Sequence, residues 1–274
     1  MRTENQGTVY ITEFISWKES IPPLLALAGL KEHLAIPDRP ILIKPNLVEA
    51  LPPPITTPVN LVAVLVEHLR TITDARIIIG EGCGALDYET SHVYDELGYT
   101  AMAGQLGVEL IDLNHGQLVR LSREQCRRWP EIHLPRIALE CFMLSVPVLK
   151  AHSLAGVTLT MKNMMGIAPP AYYRQGGRWK KSAFHSRIHE AIADLNRYRA
   201  PDFTLLDATV GMPQAHLWGP SCDPPVNRLA ASYDPVSIDA YGSSLLQRKW
   251  QDIRHINAVN GELGQAAPLT LVRT

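Results

Sequence analysis

The run CFMLSVPVLKAHSLAGVTLTMKNMMG, residues 141–166, decides the fold, because an apolar stretch breaks off there into three cations and an amide. From Cys141 to Leu149 only Ser145 is polar, which reads as a strand buried on both faces, in a sheet covered by helices. Lys150 and His152 follow at once, at the carboxyl end of that strand, where open α/β sheets bind ligands. Lys162 and Asn163 come next, before Gly166 and Ala168-Pro169-Pro170 stop the element. Together they make a cationic, hydrogen-bonding pocket floor. The plainer reading stands beside it: a lysine after a buried strand often marks only a chain reaching the surface, and an isolated histidine is usually structural.

A second stretch has the same grammar. In Ile41-Leu42-Ile43-Lys44-Pro45-Asn46-Leu47-Val48 an apolar strand again runs into a lysine, with an asparagine close behind. Pro45 pushes Lys44 toward extended geometry, so Lys44 and Asn46 fall on one side of the chain. Beyond a proline-rich loop, Thr57 is placed to cap a helix over Val59 to Leu69, with Pro58 at the first helical position. A helix start beside two strand-end lysines favours an anion.

Outward from these two strands, β and α patterns alternate. Thr8 to Ile15 predicts a strand, and Pro22 to Leu34 a helix with its prolines in the first turn. Ala75 to Gly80 predicts another strand, Ser91 to Gly98 and Thr100 to Leu106 short helices, and Val108 to Leu113 a strand. Gln117 to Arg136 is a peripheral hairpin or helix whose arginines form a solvated face. Phe203 to Leu206 is a strand ending at Asp207. Leu229 to Tyr233 is a strand ending at Asp234, with a helix over Val236 to Leu246 carrying a structural Asp239 in its first turn. The pattern predicts an α/β fold with a mostly parallel sheet and helices on both faces, Rossmann-like. Two lobes, 1–140 and 141–274, are expected to meet near Glu140 with the pocket between them. GEGCGALD, residues 80–87, lacks the spacing of a dinucleotide fingerprint, so no nicotinamide cofactor is expected.

Two segments between the site blocks invite a functional reading. Ala168 to Lys181 combines prolines, glycines, aromatics and basic residues, and reads either as a lid whose Arg174, Arg178 and Lys180 meet an anion or as a surface loop. Phe184 to Tyr198 predicts one amphipathic helix with His185 and His189 on a shared face, of which His185 is expected to point into the site.

The 274 residues carry a formal charge of −1, so nothing global attracts nucleic acid or an anionic membrane, and any attraction for anions is local. No apolar run approaches the roughly 20 residues of a membrane span, and the first residues lack signal-peptide form, which points to the cytoplasm. Cys83, Cys126, Cys141 and Cys222 are too scattered for an iron-sulfur or zinc cluster and read as reduced thiols; Cys83, in a glycine turn, is the candidate for reactivity. No metal is assigned, and the cofactor is unknown.

The blocks KPNL, TTP, EG at Glu81-Gly82, VPVLKAH, TLTMKNMMG, FH at Phe184-His185, IADLN, LLDA and YDPVSIDA resemble, in order, those of the domain of unknown function 362 family. The resemblance spans roughly Ile41 to Leu246. It implies no assigned activity, though many relatives are described as iron-sulfur proteins with ferredoxin-type cysteine clusters. This chain departs from that pattern.

The expected function is that of an enzyme on a small anionic carboxylate or phosphate metabolite. Lys150, His152, Lys162 and His185 are the expected catalytic groups, the lysines lowering one another's pKa and the histidines serving as general acid and base. Lys44, Asn46, Thr57, Glu81, Asn163, Asp207 and Asp234 are expected to bind substrate, the asparagines donating to a developing oxyanion. A redox component whose cluster comes from a partner is the first alternative, and a non-catalytic binding or scaffold protein the second. The partners expected are a small-molecule anion, with a homodimer and a redox partner left open.

Overall fold

The computed structural model describes residues 5–35 and 39–274. Its strands are β1 (Thr8–Glu13), β2 (Ile41–Pro45), β3 (Ile77–Glu81), β4 (Glu109–Asp112), β5 (Leu118–Ser122), β6 (Glu131–Pro135), β7 (Phe142–Val146), β8 (Val148–His152), β9 (Gly156–Thr158), β10 (Phe203–Met212), β11 (Arg228–Ser232) and β12 (Thr270–Arg273). The α-helices are α1 (Trp17–Leu27), α2 (Leu30–His33), α3 (Val59–Ile72), α4 (Thr90–Glu96), α5 (Tyr99–Leu106), α6 (Arg136–Glu140), α7 (Thr160–Asn163), α8 (Pro170–Tyr173), α9 (Ile188–Tyr198), α10 (Pro235–Leu245) and α11 (Arg254–Val259).

The main sheet runs β12-β1-β11-β10-β7-β2-β3-β4, with β8 and β9 joined to β10. Its centre, β10-β7-β2-β3-β4, is parallel throughout, and β11 and β9 pair antiparallel. The α/β class and the mostly parallel sheet are therefore as the sequence pattern predicts. Because β7 lies between β10 and β2, the segments on either side of Glu140 build one sheet.

Strand alternation sorts the core into two faces. Ile41, Ile43, Ile77, Ile79 and Leu144 pack under α1, α3 and α5 through Leu24, Leu65 and Tyr99. Leu42, Ile78 and Met143 face the opposite way, toward α9 and α10 with Ile192, Leu195 and Ile238. Helices on both faces explain why the central strands are apolar without interruption. No helix of the described residues is long and apolar enough to cross a membrane.

Four local expectations are corrected. Cys141 to Leu149 is two strands, because Pro147 has no N–H for the ladder; the chain leaves its pairing with β2 there and continues along β10. Lys150 and His152 consequently lie inside β8 rather than after a strand. The first helix starts at Trp17, since Ser16 Oγ accepts from Glu19 N, so Pro22 and Pro23 sit in its interior; a left-handed Gly29 then separates α1 from α2. Phe184 to Tyr198 is not one helix: Ser182–His185 forms a 3-10 turn, and Arg187, at φ 54°, breaks the chain before α9. The hairpin reading of Gln117 to Arg136 is realised as β5 and β6.

Candidate active site

The carboxyl ends of β2, β3 and β7 meet over a short run of chain that carries α7. Lys44, wholly buried, sends its Nζ to Glu81 Oε2 (2.9 Å), Asn163 Oδ1 (3.0 Å) and the Pro45 carbonyl (3.1 Å). Leu47 N donates to Glu81 Oε2 and Gly82 N to Oε1, so both oxygens of this carboxylate are engaged. Asn163 Nδ2 in turn donates to Ser145 Oγ and the Lys44 carbonyl, and Asn46 Nδ2 donates to Asn163 Oδ1. Asn163 thus bridges the ends of β2 and β7 and reaches β3 through Lys44. It is held there because buried Asp239 accepts from Thr160 N and Met161 N, anchoring the first turn of α7 to α10.

Above this network is a cavity of about 70 Å³, lined among others by Asn46, Glu81, Lys150, His152, Thr158, Lys162, Asn163, Lys181, His185 and His216. Such a space admits a few heavy atoms, several times the minimum of about 10–15 Å³ that a water needs. Its wall is short of hydrogen-bond partners. Asn46 Oδ1, Thr158 Oγ1, His185 Nδ1 and His216 Nδ1 are all buried and unpaired. Buried polar atoms are almost always satisfied, so four orphans around one cavity are what a bound polar ligand or water would leave behind.

The lysines differ in how they are held. Lys150 Nζ donates to the Ile55 carbonyl, and Lys181 Nζ to Asn114 Oδ1 and the Gly166 carbonyl, both at 2.8 Å. Lys162 Nζ has no protein acceptor within hydrogen-bond distance among the described residues. Burial lowers the Lys162 ammonium to about 8 and Lys181 to about 7. Lys150 falls well below the ordinary lysine range, through burial first and then the neighbouring Lys162 charge.

The histidines form the other wall. His152 and His216 stack with ring centroids 3.9 Å apart. His152 Nδ1 accepts from both Leu154 N and Ala155 N at 3.1 Å, which leaves the ring proton on Nε2. Burial and the adjacent Lys162 depress its pKa further. The ring is therefore held as a neutral Nε2–H donor. His185 lines the cavity, also with a lowered pKa, whereas His189 lies elsewhere with its Nδ1 3.1 Å from that of His255. The break at Arg187 removes the shared helix face expected of these two.

Several expected residues fall outside the cavity wall. Thr57 is not a helix cap: Pro58 takes that position, and Thr57 Oγ1 instead donates to the Val146 carbonyl and accepts from Asn46 N, bracing the strand end from behind. Asp207 does not end its strand, since β10 runs on to Met212; its carboxylate accepts from Thr209 N and Oγ1. Asp234 caps α10 and accepts from Gly7 N and Gln265 N as well. Arg174 and Arg178 are exposed, and Lys180 is engaged by Glu89 and the Tyr88 carbonyl. Cys83 is fully buried with its thiol pushed up by desolvation, which opposes reactivity.

Lys181, Thr158, Trp179 and His216 are cavity residues that sequence reasoning passed over. At the surface, Glu89, Asp112 and His115 bring ligand-type atoms within 4.8 Å of one another, but Lys180 already neutralises Glu89 at 2.7 Å.

No curated protein matches the chain. Among solved structures, the lactate racemase apoprotein from Thermoanaerobacterium thermosaccharolyticum is similar over 84% of this chain, at 13% identity and a TM-score of 0.45, and the chain spans 55% of that protein's length. Residues 41–244, from the start of β2 into α10, match the family described as domain of unknown function (DUF362), and the chain belongs to that family.

Proposed function

We propose that the chain is an enzyme acting on a small anionic metabolite, a carboxylate or phosphate, through the lysines and histidines of this cavity. One observation carries the reading: Lys150, Lys162 and Lys181 converge with four orphaned polar atoms on a space that fits only a few heavy atoms. Desolvated lysines carry no charge they can keep cheaply, so an anion that restores their protonation binds with a large electrostatic gain. Lys162, lowered to about 8, then supplies a proton donor near neutrality, His185, whose lowered pKa favours the uncharged ring, a proton acceptor, and His152 Nε2–H a donor to a developing oxyanion.

The test is a thermal-shift screen of the full chain against carboxylates, phosphates and nucleotides, with the Lys150→Ala/Lys162→Ala variant as control. A ligand at a hundred times its Kd stabilises by about 2.7 kcal/mol, well above detection. A shift by a small anion in the wild type alone supports the site, and turnover of that anion supports the enzyme. Binding without turnover of any hit would favour a ligand-binding protein, and a shift that persists in the variant removes the lysine site.

A further inference from the structure

We infer that Lys162 is a covalent nucleophile, forming an imine with a small carbonyl-bearing acid held in the cavity. The inference rests on the reading of the cavity as an anion site and adds to it a bond-forming residue and a substrate class, the 2-oxo acids.

The geometry singles out one amine. Lys44 Nζ is committed to Glu81, Asn163 and a carbonyl; Lys181 Nζ to Asn114 and Gly166; Lys150 Nζ to Ile55. These acceptors hold the N–H groups and fix where each of those amines points, so turning its lone pair onto a bound carbonyl would cost hydrogen bonds already made. Lys162 Nζ faces no such acceptor among the described residues, its side chain retains some exposed surface, and it lines the cavity. A lysine becomes nucleophilic when desolvation or a neighbouring cation disfavours its charge. Desolvation applies here, since burial lowers Lys162 to about 8.

The remaining groups suit the step. The neutral amine attacks the carbonyl carbon, the π pair moves to oxygen, and His152 Nε2–H is available to hydrogen-bond that oxygen as its charge develops. Nitrogen loses a proton, oxygen gains one, and the carbinolamine expels its hydroxyl with a second proton as water, leaving a carbon–nitrogen double bond to Lys162. Nothing is oxidised or reduced. The carboxylate of the same molecule favours the ammonium form of Lys181, whose pKa of about 7 lies close to the working pH, and the unpaired Asn46 Oδ1 accepts from a hydroxyl of the carbinolamine.

The experiment is reductive trapping on the full chain at pH 7.5 with limiting glyoxylate, and separately pyruvate, in the presence of cyanoborohydride, followed by peptide mass spectrometry. Because the neutral fraction of an amine rises tenfold per unit of lowered pKa, Lys162 should be labelled at least about ten times faster than exposed Lys18, Lys31 and Lys249. The Lys162→Arg variant, which keeps the cation, should lose that label and keep the wild-type melting temperature within a few degrees. Labelling of Lys162 no faster than of the surface lysines, or labelling that settles on Lys150, overturns the inference. A melting shift with sulfate in the same samples separates the two failures. If sulfate stabilises the protein while Lys162 stays unlabelled, the anion site survives without the imine; if neither occurs, both readings fall.

Discussion

Lys44 and Glu81 form a buried ion pair, Nζ to Oε2 2.9 Å, across the parallel ladder between β2 and β3. Removing two charges from water costs several kcal/mol each, and the mutual attraction offsets this only where the remaining valences are met. They are met here. Lys44 also reaches Asn163 and the Pro45 carbonyl, and Glu81 accepts from Leu47 N and Gly82 N. The pair ties both strand ends to α7 and sets the floor on which the cavity stands.

Removing one partner leaves the other charge buried alone. Glu81→Gln should therefore cost about 3–5 kcal/mol in urea unfolding, and the double variant Lys44→Met/Glu81→Leu clearly less than the sum of its single changes. A cost for Glu81→Gln below about 1 kcal/mol would mean that the two groups share no charge in the folded state.

Gly166 allows the turn after α7 to lie directly on that pair. A Cβ at this position would overlap Glu81 Oε1 and Lys44 Nζ, neither of which has room to withdraw. Overpacking in a rigid interior costs about 1–3 kcal/mol or more, so Gly166→Ala should lower stability by at least that much and weaken anion binding with it. Gly104, where a Cβ meets nothing within 4 Å, serves as the control for an innocuous Gly→Ala change. Equal melting temperatures for the two variants would show that the turn relaxes freely.

Much of the fold was legible because the central strands obey local rules. Ile41–Ile43 and Ile77–Ile79 are apolar on every residue, which only a sheet covered on both faces requires. Lys44, Asn46, Glu81, Lys150, Lys162 and Asn163, which line or underlie the cavity, stand out by their place just after such apolar runs, and His185 by its place in the Phe184-His185 block. The same rule applied to Asp207 and Asp234 does not reveal that β10 continues to Met212 or that Asp234 caps α10. Lys181 escaped because Arg178-Trp179-Lys180-Lys181 looks like any solvated basic run. Its burial depends on Asn114, 67 positions away, and on the Gly166 carbonyl, and no local pattern encodes that contact. His216 lies in a loop of glycines and prolines, and its stacking on His152 is equally non-local.

Lys180 pins the segment that brings Trp179 and Lys181 to the cavity. It donates to Glu89 and the Tyr88 carbonyl, while Arg174 to Arg178 just before it is exposed. Glu89 is itself largely in solvent, so the pair adds only about 0–1 kcal/mol to global stability. Lys180→Ala should accordingly leave the melting temperature nearly unchanged and still speed tryptic cleavage after Arg174 and Arg178 several-fold. Unchanged cleavage would show that the buried Lys181 contacts alone hold the loop.

The folded-state pKa of Lys181, about 7, lies below the ordinary lysine value of about 10.4, which it keeps when unfolded. Between those values the unfolded chain binds the extra proton, so rising pH favours the folded state across this window, with no slope from this group below about 7. Substitution by an apolar side chain removes the effect. Stability curves of wild type and Lys181→Met should converge or cross as pH rises from about 7 to 10, the variant being relatively favoured at the acid end. Parallel curves over that range would place the Lys181 ammonium in a solvated setting.

Anion binding should carry the opposite pH dependence. Sulfate keeps its charge throughout the window, so any change in its affinity reports on the protein. Lys162 and Lys181 lose their protons near about 8 and about 7, and Lys150, Glu81, His152, His185 and His216 line the same space, with Lys44 beneath it. Lys44 and Glu81 neutralise each other, His152 accepts from two backbone donors, and burial pushes Lys150, His185 and His216 toward their uncharged forms, so Lys162 and Lys181 dominate the change across this window. Sulfate that binds their ammonium forms must draw in protons as pH rises. Its affinity should fall between about pH 7 and 9, by up to tenfold per pH unit for each lysine that has to be recharged. Calorimetry in two buffers of different ionisation enthalpy should show net proton uptake on binding at pH 8, reduced in Lys162→Met and in Lys181→Met. A pH-independent affinity with no proton uptake would mean that the cavity recognises anions through Asn46, Asn163 and His152 Nε2–H rather than through lysine charge, and the acid–base chemistry proposed for this site would lose its proton donor.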